Sequence, residues 1–404
     1  MSSAFEPVQI GPLTLKNRLI KAATNEGMAP GGVPSKMLVE YHRRVAAGGA
    51  ALSTVAYCAV TPDGRTFPDQ VCLDEQSIPH LRVLTDAVHD AGGMACAQIT
   101  HGGSFNFLPR LSTKYPLSSS GGFNPVGLMV WRLFKRAMSP VDLERMANDF
   151  VQAALRAEQA GFDAVEIHMG HGYLLSQFIS PLYNKRRDQY GGDAKCRAQF
   201  PAMVLRRVLE AVGERMAVIC KISVIEGARK GATAEDSVEV AKVLEAAGAH
   251  LIVLSAGMNV ESAWQIFGSQ LPASVADTVQ NPIMRWGARL TRLFEPKVAF
   301  KPLYMREHSL KVRQAVSMPL AYLGGGKHLA DLEQVRADGF DCVAMGRALL
   351  HDPDIVSQYQ QGLATESGCT SCNECVPTIY HAGGTHCPLQ GENPISLNQQ
   401  PAAQ

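Results

Sequence analysis

Eight short β-rich runs recur along the chain, separated by longer segments of helical periodicity, and this alternation restricts the fold more than any other feature. The runs are LIKAAT (19–24), AALSTVAY (50–57), MACAQITH (94–101), DAVEIHM (163–169), AVICKIS (217–223), HLIVLSA (250–256), PLAYLGG (319–325) and CVAMGR (342–347). Most are apolar on both faces, as strands of a parallel sheet covered on each side should be. The clearest helix spans 139–161, with Ser139 as N-cap, Pro140 at the first helical position and Gly161 past the end. Segments 233–248, 34–47 and 77–91 read the same way. The expected fold class is α/β, a closed (β/α)8 TIM barrel. An open doubly wound sheet is the alternative. The barrel is preferred because chemically loaded residues follow nearly every strand, as barrel active sites require.

The barrel unit is placed at 1–362 and a Cys-containing C-terminal extension at 363–404. Two connections, 104–138 and 258–302, are too long for simple turns, and both follow strands, which puts them on the catalytic face as capping excursions. They hold all three tryptophans, Trp131, Trp264 and Trp286. A ligand-facing lid and a partner interface, such as a homo-oligomer contact, both suit them. The formal net charge of +1 gives no whole-chain electrostatic case for nucleic acid or an anionic membrane. No apolar run approaches the ~20 residues of a membrane span. The first residues lack a basic region followed by an apolar stretch, so a cytoplasmic protein is expected. Of ten cysteines, Cys58, Cys72, Cys96, Cys196, Cys220 and Cys342 lie in apolar segments and read as buried small hydrophobes.

The strand ends carry the chemistry. Gly324 and Gly325 follow strand seven, and Gly346 and Arg347 follow strand eight. Glycines there let a backbone approach a phosphate closely, and arginine adds a forked contact. Gln98 and His101 end strand three, Lys221 ends strand five and Thr24 follows strand one. An amide, a cation and a hydroxyl facing a barrel mouth suit a flat heteroaromatic ring, so a mononucleotide cofactor and a small-molecule substrate are expected.

After strand four comes EIHMGHGYLLSQFISPLYNKRRDQYGG (166–192). Together with FEPVQIGPLTLKNRL, QITHGG and DCVAMGRALLHDPD it follows, over 5–354, the motif order of the old yellow enzyme family, which this sequence resembles. The likeness is nearest the 2,4-dienoyl-CoA reductase branch. The resemblance implies bound FMN, transient NAD(P)H and an ene-reductase acting on an α,β-unsaturated carbonyl compound. It implies that His168 and His171 hold the carbonyl oxygen and that Tyr173 supplies a proton. A purely structural role for both histidines is the alternative; a zinc site lacks an acidic third ligand at matching spacing. Asn184, Arg187, Asp188 and Tyr190 are expected to brace the loop. Thr24 falls where the family places a hydroxyl near the flavin C4 carbonyl. Lys221 stands where the family often has arginine, and Tyr57 and Cys58 have no counterpart.

Cys369, Cys372, Cys375 and Cys387 form C-x2-C-x2-C with a fourth cysteine following. The resemblance implies a [4Fe-4S] cluster here, although that branch has one more residue between its second and third cysteines and a C-terminal FAD/NADPH module absent from this sequence. Three readings stand: an iron–sulfur cluster fed by a separate redox partner, a structural Zn clip, or free thiols. The aromatic excursions point to a bulky apolar substrate. Rival functions are a flavin-dependent dehydrogenase of an amine or alcohol, and an electron-transfer flavoprotein subunit.

Overall fold

A computed structural model describes residues 3–391 except 279–284, 287–288, 291–294 and 382. Its centre is a closed barrel of eight strands paired in chain order. They are β1 (Leu19–Lys21), β2 (Leu52–Ala59), β3 (Met94–Thr100), β4 (Ala164–His168), β5 (Ala217–Ser223), β6 (Leu251–Ser255), β7 (Leu320–Tyr322) and β8 (Cys342–Met345). All neighbours run parallel, and β8 closes on β1 with Val343 opposite Leu19. The expected (β/α)8 barrel is therefore the fold, and the open sheet is excluded.

Alternation along each strand divides the core into two layers. Ala164, Ala217, Ile219, Leu251, Val253, Ala321, Cys342 and Ala344 fill the barrel interior. Val165, Ile167, Val218, Cys220, Ile252, Leu254 and Val343 face the helices. A hairpin of Val8–Ile10 and Leu13–Leu15 adds Ile10 and Leu15 to the interior layer. Continuing the inner parity upward brings Glu166, His168, Lys221, Ser255 and Thr24 to the mouth.

The helices that cover the barrel are α1 (Lys36–Ala47), α2 (Ile78–Asp90), α3 (Pro140–Gln159), α4 (Gln199–Val212), α5 (Ala234–Ala246), α6 (Arg306–Ala315), α7 (Leu329–Ala337) and α8 (Ile355–Gln361). Ser139 caps α3 as its sequence requires, and Asp142 completes a capping box by accepting from the Ser139 N–H at 2.8 Å. Phe150, Ala153 and Ala157 of α3 are fully buried against the sheet.

The first excursion folds into a three-stranded sheet of Leu117–Ser118, Gly122–Phe123 and Phe134–Ala137. The second contributes short helices at Ala263–Phe267 and Ser274–Asp277, and part of the expected 258–302 cap lies outside the described residues. So does the polar tail beyond Gly391. The C-terminal extension returns to the barrel mouth. Thr385 N–H donates to Glu26 O at 2.8 Å, and a Cβ on Gly27, whose φ is +61°, would stand 2.4 Å from Ile379 O. One cysteine departs from expectation: Cys196 sits partly exposed in the turn Ala194–Arg197, because that segment lies outside the barrel layers.

Ser139→Ala removes the cap of α3 and leaves the Asp142 N–H without its acceptor. Urea unfolding should show a loss of about 1 kcal/mol, whereas Phe150→Ala, which opens a core cavity, should cost about 3–5 kcal/mol.

Candidate active site

One cavity of about 310 Å3 occupies the C-terminal mouth of the barrel. Thr24, His171, Tyr173, Lys221, Gly324, Gly325, Gly346 and Arg347, all singled out from sequence, line it together. Gln98 and His168 are buried and do not belong to the lining. His101 is buried to one side, its Nδ1 accepting from the Gly103 N–H at 3.0 Å.

The floor is polar and fully buried. Gln98 and Glu166 are register partners on β3 and β4, and Gln98 Nε2 donates to Glu166 Oε1 at 2.6 Å. Lys221 Nζ on β5 approaches the same oxygen at 3.8 Å. A buried cation needs such a partner, since desolvation alone would expel it.

The end of β4 and the loop after it carry the two imidazoles, His168 and His171. Their rings meet edge to face with centroids 5.0 Å apart. His171 adopts a left-handed φ of +60°, and its Nε2 lies 2.8 Å from Ser255 Oγ on β6. His168 Nδ1 accepts from the Gly170 N–H at 3.3 Å, which leaves the ring proton on Nε2; that nitrogen is buried without a partner. Burial first, then neighbouring positive charge, holds His171 down to about 3 and His168 well below the ordinary imidazole range. Both rings are therefore neutral donors or acceptors at physiological pH. Tyr173 packs on His168 with ring centroids 4.7 Å apart, and burial raises its phenol well above the ordinary range.

The opposite wall is backbone. Gly324 and Gly325 have φ of +158° and +83°. A Cβ on Gly324 would stand 2.8 Å from Met305, and one on Gly325 would stand 3.0 Å from Tyr304. Gly346 precedes the turn Arg347–His351 and lies against Thr24. Arg347 donates to Phe267 O at 2.8 Å and to Asn373 Oδ1, so it ties the second excursion and the C-terminal extension to the cradle.

Sequence reasoning missed Tyr57. On strict alternation from Leu52, which faces the interior, Tyr57 would face the helices. The register slips between Val55 and Cys58, placing Cys58 in the outer layer. The bulge inverts the parity, and Tyr57, with φ +53°, turns into the cavity 5.1 Å from the Tyr173 ring. Phe67, Phe105, Phe267, Phe300, Tyr304 and Tyr380 supply the rest of an aromatic wall. None of the three tryptophans belongs to it: Trp131 and Trp286 are 78% and 65% exposed, and Trp264 stays outside the lining. The brace also differs in detail. Arg187 is exposed, and its neighbour Arg186 pairs with Asp188 at 2.5 Å. Asn184 does brace the loop, donating to Phe178 O and Tyr190 O at 2.7 Å.

The four cysteines of the C-terminal extension lie close enough together to act on one another electrostatically. Cys369 and Cys375 line the cavity, and Cys387 Sγ lies 3.1 Å from His351 Nδ1. Among the described residues no group of three or more His, Cys, Asp or Glu that could hold a metal ion is found. Burial pushes the Cys375 thiol up to about 12, which keeps it protonated.

Gly324 and Gly325 with little room for a Cβ, an unpartnered buried imidazole N–H and an amide–carboxylate–ammonium floor fit FMN with its ring in the mouth. Fold and site together define a flavin-dependent oxidoreductase barrel. Residues 3–266 match the NADH:flavin oxidoreductase / NADH oxidase family, and the chain belongs to it. It is 40% identical to the 4,4'-dithiodibutanoate disulfide reductase of Rhodococcus erythropolis over 95% of this chain and 94% of that protein. It is 30% identical to the NADH oxidase of Thermoanaerobacter brockii over 91% of this chain, which spans 52% of that longer protein. The fold superposes on the old yellow enzyme homologue from Zymomonas mobilis with a TM-score of 0.70 at 23% identity, covering 96% of this chain and 98% of that one. The cofactor is FMN, with reduced nicotinamide as electron donor. Among the described residues no helix is long and apolar enough to cross a membrane.

The neutral histidines have a consequence for stability. Unfolded, His171 takes a proton near 6.5; folded, it does so only near 3, and His101 only near 4. Below pH 6.5 the unfolded chain therefore binds more protons, so stability is full above that pH and is lost as pH falls toward 4 and 3. Thermal unfolding between pH 7 and pH 5 should show a falling midpoint, and His171→Asn should flatten the dependence.

Proposed function

We propose that this protein is an FMN-dependent ene-reductase, reducing the C=C bond of an α,β-unsaturated carbonyl compound at the expense of NAD(P)H. The observation that carries this reading is the neutral imidazole pair at and just after the end of β4, one ring of which holds a buried N–H with no partner. FMN held in this mouth would supply the hydride that the β-carbon accepts. Negative charge then develops on the carbonyl oxygen, and imidazole N–H donors that meet it would lower the barrier. His171 lines the cavity and, with Nε2 engaged by Ser255, is positioned to meet that oxygen. His168 lies directly behind it. Tyr173 gives its phenolic proton to the α-carbon. Its raised pKa suits a donor that stays protonated until a strong carbon base forms beside it. The aromatic wall excludes water and selects an apolar substrate, and Gly324, Gly325, Gly346 and Arg347 cradle the phosphate.

A second reading is reduction of an organic disulfide, favoured by the 40% identity to a disulfide reductase across nearly the whole of both chains. Two electrons and two protons would convert the disulfide to two thiols, with Tyr57 and Tyr173 as the phenols at hand. The two readings separate in one experiment. Enzyme reduced anaerobically with NADH or NADPH is mixed with enones and with alkyl disulfides, while alkene absorbance and thiol release are followed. Stoichiometric loss of alkene supports the ene-reductase; thiol release with enones untouched overturns it.

Tyr173→Phe should slow alkene reduction by about 10²-fold or more, and His171→Ala by about 10²-fold, while reduction of the bound flavin by nicotinamide keeps most of its rate. Stopped-flow measurement of the two half-reactions tests both.

A further inference from the structure

A second ion pair lies under the mouth, and the catalytic reading makes no use of it. Lys21 ends β1 on its outward parity, opposite Ser53 of β2, on a face where most strand residues are apolar. Its side chain is 1% exposed and that of Glu26, in the loop that follows, is 4% exposed. Lys21 Nζ donates to Glu26 Oε1 at 2.5 Å and to Thr54 O at 3.0 Å, and stands 5.1 Å from the Tyr41 ring centroid. Glu26 is saturated in turn. Its Oε2 accepts from the Ala56 N–H at 3.2 Å, and its Oε1 also accepts from Thr24 Oγ1 at 3.1 Å.

That last bond links the pair to the cavity. Thr24 is a lining residue, and its hydroxyl proton is committed to Glu26, so toward the cavity it offers lone pairs and no donor. Across the floor the pair also feels Lys221 and Glu166. The floor thus holds two cations and two anions, and its net charge is zero only while Glu26 is present. Packing does not explain the arrangement, since apolar residues of similar volume are commonly as stable as a buried ion pair or more so.

We propose that the Lys21–Glu26 pair is a positioning and charge-setting device for the flavin, in which Glu26 fixes the Thr24 hydroxyl and lowers the reduction potential of bound FMN while Lys21 raises it, so that the two charges offset each other. Reduction adds negative charge to the ring, and a nearby carboxylate opposes that change while a nearby ammonium favours it. Glu26→Gln leaves Lys21 uncompensated and frees the Thr24 proton to turn toward the cavity. Both effects favour the reduced ring. Lys21→Met leaves the carboxylate uncompensated and acts in the opposite direction.

The proposal rests on the FMN assignment and not on whether the acceptor is an alkene or a disulfide. Its test is the midpoint potential of bound FMN, measured by dye equilibration in the holoenzyme alongside thermal unfolding. Glu26→Gln is expected to shift the two-electron equilibrium at least tenfold toward reduced flavin, an upward shift of about 30 mV. Lys21→Met should move it downward, and the double variant Lys21→Met/Glu26→Gln should return most of the way to wild type. If one single variant fails to fold, the other single and the charge-free double still decide. Potentials that stay at the wild-type value, or single variants that shift in the same direction, would overturn the proposal and leave the pair a structural element alone.

Discussion

The active site depends on the two-residue alternation of a closed parallel sheet. Once Ala164, Ala217 and Leu251 are committed to the interior, Glu166, Lys221 and Ser255 have no choice of face. The interstrand register then sets which of them meet. Gln98 faces Glu166 because β3 pairs with β4 at that residue, and Lys221 stands beside His168 because β4 pairs with β5 there. No loop could hold these groups as tightly, because each backbone is bonded on both sides.

Much of this was legible in the sequence because alternation and chain order are local properties. The strand runs, the Ser139 cap and the glycines after β7 and β8 each announce themselves within a few residues. The same logic explains the failures. Tyr57 was invisible because a bulge in β2 reverses parity, and nothing in LSTVAYCA marks the slip. Arg187 was chosen over Arg186 because spacing cannot tell which of two adjacent arginines turns inward. Lys21 hid inside an apolar run, and its role depends on a carboxylate that reaches back from the following loop. The tryptophans misled in the opposite sense: their aromatic weight suggested a lid, yet phenylalanines and tyrosines from five separate segments build the wall.

Burial gives the site its chemical character. Two imidazoles kept neutral by desolvation can direct N–H groups at an oxygen without first losing a proton, and a phenol kept protonated can wait for a carbon base. The same burial makes every charge at the floor expensive unless matched, which is why ammonium and carboxylate occur there in equal number.

The contact between Thr385 and Glu26 joins a segment made late in synthesis to one made near the beginning. Every barrel strand is already on the growing chain before Val376, Ile379 and Tyr380 emerge to roof the mouth. A cofactor captured by the nascent chain would meet an open bowl, and one captured after release would meet a covered one.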